Sequence, residues 1–323
     1  MKVLGMGNAL VDVLAKIDND DILDVMQLPK GSMQLIDDIK LQALNNIIEP
    51  LKKEIVSGGS AANTIVGLSR LGVNTGFVGR VGKDAFGEYY KSDLARNNVK
   101  SHLTEVAEVS GVATTFISRD GQRTFGTYLG AAALLSAGEL DKKDFAGYDY
   151  FYIEGYLVQS HALIKQAIVL AKEAGAKIIL DLASYNVVDE NKDFLNEIIP
   201  LYVDVVFANE EEAQSLFALD AEEAVSLFAR NVDIAIVKAG SNGSWIQKGE
   251  EKVFVPAHKV DCIDTTGAGD LYAAGFIYGL LNDKSLSVCG EVGTLLAANV
   301  IQVVGAKIND EKWSEIQEVI ARC

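Results

Sequence analysis

Asp264-Thr265-Thr266-Gly267-Ala268-Gly269-Asp270 is the stretch of the chain best suited to chemistry. Its two glycines let the backbone turn so that successive N–H groups face one concavity. The apolar pattern over 271–280 predicts a helix whose N-terminal dipole adds positive potential at the same place. Such a concavity attracts an anion. A carboxylate at its rim is repelled by a bound phosphate unless it has another task, and taking a proton from a substrate hydroxyl would be such a task for Asp270. Asp is also among the best helix N-caps, so spacing alone leaves both readings open.

Other candidates are spread along the chain, each with a plainer reading beside it. No Gly-x-x-x-x-Gly-Lys-Ser/Thr loop occurs, so a nucleoside triphosphate would rest on Gly267-Ala268-Gly269 instead. Asn209-Glu-Glu-Glu212 follows the apolar run 203–207 and would suit a Mg²⁺-bound nucleotide, with Glu212 acting directly or through water. Asn followed three residues later by Glu is equally a capping box. Asp12 would suit two neighbouring sugar hydroxyls, or is a solvated loop acid. Gly58-Gly59 with Asn63 one turn on permits close backbone approach to a ligand, although tight helix–sheet packing explains the same glycines. The glycines of Lys238-Ala-Gly240-Ser-Asn-Gly243 would lie against a base or ribose, or form a plain β-turn. Arg123, beside a hairpin tip, would reach a transferring phosphate if that hairpin closed, or is a surface arginine.

The whole chain narrows these choices. With 323 residues it can bury a large core, and 29 basic against 45 acidic residues, a formal charge of −16, argue against nucleic acid or an anionic membrane as partner. Backbone N–H groups would shelter a phosphate from that field. Cys262, Cys289 and Cys323 are too few and too scattered for a disulfide framework or a zinc site, which points to structural thiols in a reducing cytoplasm. Residues 1–15 read as neither a signal peptide nor a span, and no apolar run reaches about 18 residues. Only His102, His161 and His258 are present, so carboxylates are the better proton carriers.

The elements that must position these residues follow from periodicity. Strands are predicted over 1–7, on to Lys16, and over 31–36, with a helix over 38–53. A helix starts after Gly59 and ends at Gly72; a strand at 75–82 and a helix over 84–97 follow. The runs 112–118 and 123–129, joined by Arg119-Asp-Gly-Gln122, read as a hairpin. Paired with the strands of 10–36, it would form a small sheet outside the main body, a lid made of about 10–36 and 112–129. From 149 onward strand and helix alternate: strands 149–154, 177–182, 203–208 and 233–238, helices 160–174, 191–199, 210–217 and 221–230. That pattern predicts a parallel sheet covered on both faces. A strand pair over 243–256 leads to helices 269–282, 285–303 and 311–322. One α/β domain over 1–323 is expected, with its ligand at the carboxyl ends of the strands.

Taken in order, Gly5-x-Gly7-Asn8-x-x-x-Asp12, Gly58-Gly59-x-x-x-Asn63, Asn209-x-x-Glu212, Gly240-x-x-Gly243 and Asp264-Thr-Thr-Gly-Ala-Gly-Asp270 resemble the ribokinase-like (pfkB) family of small-molecule kinases. The likeness spans nearly the whole chain. Gly-Met-Gly-Asn-Ala-Leu-Val-Asp12, the segment 121–130 and Asp181-Leu-Ala-Ser184 look most like its adenosine kinase branch. That branch commonly carries Asn where this chain has Asp181, and 30–35 departs from its purine-enclosing pattern, so sugar kinases stay in the reading.

The resemblance implies a three-layer αβα fold with a mainly parallel central sheet and a small β-sheet lid. It implies transfer of the γ-phosphoryl group of ATP to a primary hydroxyl, of adenosine first and of ribose or fructose as runner-up. A catalytically silent sugar- or nucleoside-binding regulator is the reading of another class. Asp270 would be the base, and the amides of Gly267, Ala268, Gly269 and Asp270 the anion hole, with Arg123 nearby. Asn8, Asp12, Gly58, Gly59 and Asn63 would hold the acceptor. Asn209 and Glu212 would organise Mg²⁺ and phosphates, while Asp181, Lys238, Gly240, Gly243 and Asn299 line the nucleotide side. A monovalent cation such as K⁺ would sit on carbonyls of Asp264 and Thr266 with the loop ending at Gly305. The expected assembly is a monomer, or a homodimer through the lid.

Overall fold

The computed structural model of the protein describes residues 1–120 and 122–322. The glycine of the Asp120-Gly121 turn signal and the thiol of Cys323 therefore lie outside the described residues. The chain opens with β1 (Lys2–Met6), β2 (Leu10–Lys16), α1 (Asp21–Met26), β3 (Met33–Leu35), α2 (Asp38–Ile48) and β4 (Lys53–Gly58). Then come α3 (Ser60–Arg70), β5 (Asn74–Gly82), α4 (Ala85–Arg96), β6 (Val99–Val106), β7 (Gly111–Ile117) and β8 (Arg123–Tyr128). The alternating half runs through α5 (Lys142–Phe145), β9 (Tyr150–Glu154), α6 (His161–Glu173), β10 (Lys177–Asp181), α7 (Tyr185–Glu190), α8 (Lys192–Tyr202) and β11 (Val205–Asn209). It continues with α9 (Glu210–Phe217), α10 (Ala221–Phe228), β12 (Ile234–Lys238), β13 (Gly243–Lys248), β14 (Glu251–Pro256), α11 (Ala268–Leu281), α12 (Leu286–Val300) and α13 (Asp310–Ile320).

The main sheet has nine strands in the order β14-β13-β12-β11-β10-β9-β1-β5-β6. All pairs from β12 to β6 are parallel, and the β13 and β14 pairings are antiparallel. Alternation along β1 divides the core. Leu4 and Met6 pack with Leu163, Ile168, Leu195 and Val225 of α6, α8 and α10 on one face. Val3 packs on the other with Ile65, Phe276, Leu296 and Trp313 of α3, α11, α12 and α13. Helix therefore covers both faces, which is the three-layer α/β arrangement and explains why the central strands are apolar throughout.

A second sheet of five strands, β3-β8-β7-β2-β4, stands beside the first. One of its faces buries Val13, Ala15, Val112 and Phe116 against Leu23, Leu41 and Leu44 of α1 and α2. Its other face carries Asp12 in a cross-strand row, Leu35↔Thr127↔Ala113↔Asp12↔Val56. Three boundaries differ from the expected ones. The helix begun at Asp38 stops at Ile48, so Lys53 opens β4 rather than ending α2, and β4 and β6 were not foreseen. Both are edge strands, where outward Lys and Glu residues block further pairing and hide the strand period. No helix among the described residues is long and apolar enough to cross a membrane.

Candidate active site

Gly267 takes φ 77°, in the left-handed region, and turns the chain into α11. It is the N-cap residue, with no side-chain cap, so the capping reading of Asp270 is set aside. The carboxylate of Asp270 turns instead toward α3, where Oδ1 accepts from Ser60 Oγ at 2.7 Å and Oδ2 from Asn63 Nδ2 at 2.9 Å. Burial pushes its pKa up to about 6, and these two donors limit the rise. The N–H groups of Gly267, Gly269 and Asp270 find no acceptor among the described residues, whereas that of Ala268 donates to Thr265 O at 3.1 Å. Three free amides, not the four expected, therefore face outward beside the carboxylate. An anion and a hydroxyl placed there would meet complementary groups.

The acceptor-side candidates converge on the same aspartate. Gly59 has φ 93°, and a Cβ there would collide with the carbonyl oxygen of Asn8; at Gly58 it would strike the Asp12 carboxylate. Gly59 thus serves close approach to the β1–β2 turn, and Gly58 makes room for the Asp12 side chain of β2. Asn8 is not free for a ligand on all sides. Its N–H and Nδ2 donate to Glu154 Oε1 at 2.7 and 2.8 Å, while Glu154 Oε2 accepts from Ala61 N at 2.9 Å. Glu154, 1% exposed with its pKa pushed up to about 7 by burial, ties the β1–β2 turn to the start of α3. Burial likewise lifts Asp12 to about 7, against the opposing charges of Lys307 and Arg123.

On the opposite side a cavity of about 530 Å³ is lined by Asn209, Lys238, Gly240, Gly243, Tyr272 and Gly269 among others. Its charged end is Lys238, whose Nζ lies 3.3 Å from where a Gly269 Cβ would be and 3.3 Å from Asp181 Oδ2. Burial opposes the charge on Lys238, but Asp181 and Glu212 outweigh it and raise the pKa. Asp181 itself is 3% exposed and bonded to Tyr152 OH at 3.2 Å, so it holds Lys238 instead of lining the cavity as expected. Glu212 closes the capping box: its two oxygens accept from Asn209 N and Nδ2 at 2.8 and 2.7 Å, and Glu212 N donates back to Asn209 Oδ1 at 2.8 Å. Buried at 1% exposure with its pKa raised to about 7, it fits action on a metal through water, not direct ligation. No group of three acidic, His or Cys residues among the described ones is placed to cage a metal.

Two further expectations are corrected. Arg123 is not poised to swing to a phosphate: Nη2 lies 2.8 Å from Asp264 Oδ2, close as an ion pair though not aligned as a hydrogen bond, and Nη1 donates to Thr266 Oγ1 at 3.3 Å. The Asp264 carboxylate also accepts from Thr266 N and Oγ1 and from Gly305 N, fixing the loop ahead of Gly267. Asn299 donates to Leu295 O one turn back and is absent from the cavity wall, because α12 turns Thr294, Ala297, Ala298 and Ile301 toward it instead. Sequence reasoning missed Ser60, Glu154 and Lys307. Ser60 had a visible signal, a hydroxyl directly after the paired glycines; a glutamate ending a strand and a lysine in a loop had none.

Comparison with known proteins adds the family. The sequence profile described as the pfkB family carbohydrate kinase matches residues 34–313. An uncharacterized sugar kinase of Archaeoglobus fulgidus is 31% identical over 75% of this chain and 97% of its own length. Adenosine kinase of Saccharomyces cerevisiae is 29% identical over 96% of this chain and 97% of its own. Among solved structures, adenosine kinase from Sinorhizobium meliloti superimposes with a TM-score of 0.88 at 31% identity, covering 98% of this chain and 99% of that one.

Proposed function

The chain belongs to the pfkB family of carbohydrate kinases, phosphotransferases that act on hydroxyl groups, and from that premise we propose that it phosphorylates the primary hydroxyl of a nucleoside, adenosine first, using ATP. One observation carries the reading. The Asp270 carboxylate, held by Ser60 and Asn63, stands between the acceptor-side groups and a loop of free amides on which the 530 Å³ cavity opens. Asp270 takes the proton from the acceptor hydroxyl as the oxygen attacks in line. The amides of Gly267, Gly269 and Asp270, with the Lys238 ammonium, balance charge on the moving phosphoryl group. Asp12 accepts from the acceptor's hydroxyls, while Asn63 and the backbone at Gly59 orient it. Mg²⁺ would travel on the nucleotide phosphates, with Glu212 acting through water, and supplies charge neutralisation there. K⁺, where used, would rest on carbonyls of Asp264 and Thr266.

Support for a nucleoside over a sugar comes from the small sheet, read as a lid. Met33 and Leu35, 48% and 58% exposed, share the face that bears Asp12, and an exposed apolar strand there suits a purine ring better than a polar sugar. The adenosine kinase relatives point the same way, and the sugar kinase relatives keep ribose or fructose as second reading.

A phosphorylation screen with ATP over adenosine, inosine, ribose, fructose and their phosphates tests this. Adenosine should turn over fastest. Turnover of sugars alone would overturn the nucleoside assignment, and acceptor binding without turnover would make the chain a regulator. The pH profile follows from the sign of each shift. Asp270 acts only when ionised, so kcat should fall below pH about 6, while acceptor KM should rise as Asp12 gains a proton near pH 7.

A further inference from the structure

Tyr152, 0% exposed, projects from β9 beneath α3 and α11, on the face of the main sheet that also carries Asp181 at the end of β10 and Lys238 at the end of β12. The other members of its core cluster, Ile65, Ile179, Phe207 and Phe276 among them, are apolar, so packing alone would be served by phenylalanine. A buried phenol needs polar partners, and this one has two. Its hydroxyl donates to Asp181 Oδ2 at 3.2 Å and lies 3.3 Å from Thr64 Oγ1 of α3, which in turn stands 3.1 Å from the backbone oxygen of Asp270. Tyr152 thus sits where the Asp181–Lys238 pair meets the contact between α3 and α11. We propose that Tyr152 is a positioning residue for phosphoryl transfer: by holding the Asp181 carboxylate from the core side, its hydroxyl keeps Lys238 aimed at the anion loop.

Asp181 decides where Lys238 points. Lys238 Nζ lies 3.4 and 3.3 Å from the two oxygens of Asp181 and has no other hydrogen-bond partner among the described residues. The same ammonium is 3.3 Å from where a Gly269 Cβ would be, so a rotation of the carboxylate would carry it away from the amides of that loop. Two further groups hold the carboxylate. One is the N–H of Ala183, 3.3 Å from Oδ1, which belongs to a non-glycine residue at φ 66° in the turn beyond β10. The other is the Tyr152 hydroxyl on Oδ2. A left-handed alanine is a strained support, whereas a ring packed in the core on a central strand is a rigid one. The phenol is therefore the fixed point from which Asp181, and through it Lys238, is placed.

The inference rests on the kinase reading for its kinetic arm, and a structural arm stands apart from it. Tyr152→Phe removes one oxygen and leaves the ring in the core. With the acceptor found in the screen, kcat and kcat/KM for ATP should fall together by about tenfold, short of the roughly 10²-fold that follows a misplacement of about 1 Å, because the interaction lost is one made in the transition state. In the Lys238→Met background the same change should cost less than about twofold, since the group it aims is already gone. Thr64→Val, which takes away the other partner of the hydroxyl, should lower kcat less than Tyr152→Phe does. No loss in Tyr152→Phe, a loss that carries over in full to Lys238→Met, or an equal loss in Thr64→Val overturns the proposal, the last two by showing that the hydroxyl acts on the core or on α3 instead. Should Tyr152→Phe not fold, Tyr152→Phe with Thr64→Val, which strands no hydroxyl on α3, is compared with Thr64→Val alone. If no acceptor is phosphorylated, the kinase reading fails, and crystal structures of the ligand-free wild type and Tyr152→Phe still decide this one. Lys238 Nζ should leave its place beside Asp181 and Gly269 in the variant, and an unmoved ammonium overturns the proposal.

Discussion

Asp270→Asn should lower kcat by at least about 10²-fold, the lower range for loss of a general base, while acceptor affinity changes little. The surroundings tolerate the new amide. Ser60 Oγ can donate or accept, and the Oδ1 of Asn63, buried without a partner, becomes useful once the Asn63 side chain rotates to receive the introduced amide N–H. Stability should not fall either, because the substitution removes a buried carboxylate whose pKa is lifted to about 6 and whose charge burdens the fold above that pH. Loss of activity with an intact, binding-competent protein therefore isolates chemistry. Near-wild-type turnover would take Asp270 out of the mechanism.

Lys238→Met should cost stability as well as activity. It leaves Asp181 and Glu212, 3% and 1% exposed, without their shared cation, a change of about 3–5 kcal/mol for a broken buried ion pair. At about 2–4 °C per kcal/mol for a large domain, the melting temperature should drop on the order of 10 °C, and by less at pH 5, where the stranded carboxyls can take up protons. Returning the cluster to its original net charge with Asp181→Asn in the same chain should recover part of the stability but not kcat, since the ammonium beside Gly269 is still missing. An unchanged melting temperature in the single variant would show that water reaches and screens this cluster.

How much of this was readable beforehand depends on whether a residue's task is local. The Gly267 turn, the Asn209/Glu212 spacing and the alternation after residue 149 are local, and they placed the anion loop, the capping box and the sheet. At Asn209/Glu212 one spacing encodes two tasks, and the geometry favours the structural one over direct metal ligation. Asp270 illustrates the reverse. Its sequence neighbours suggest a cap, but its partners are 210 and 207 residues away. Glu154 was illegible for the same reason, lying 146 residues from Asn8. Edge strands β4 and β6 were lost because their outward charges erase alternation, and Asn299 was misplaced by about one residue's rotation on α12, a shift of roughly 100°.

The central place of β1 has a consequence for how the protein comes to exist. It pairs with β5, about seventy positions on, and with β9, nearly one hundred and fifty positions on, so this strand must wait, half of its backbone unpaired, until β9 has been synthesised. Such distant closure is entropically slow and leaves an apolar edge exposed meanwhile. Donors on α3 then wait longer still for Asp270, which is translated late. A nascent chain grown only as far as β9 would thus already carry Ser60 and Asn63 on α3 while the Asp270 carboxylate they bind had still to be made.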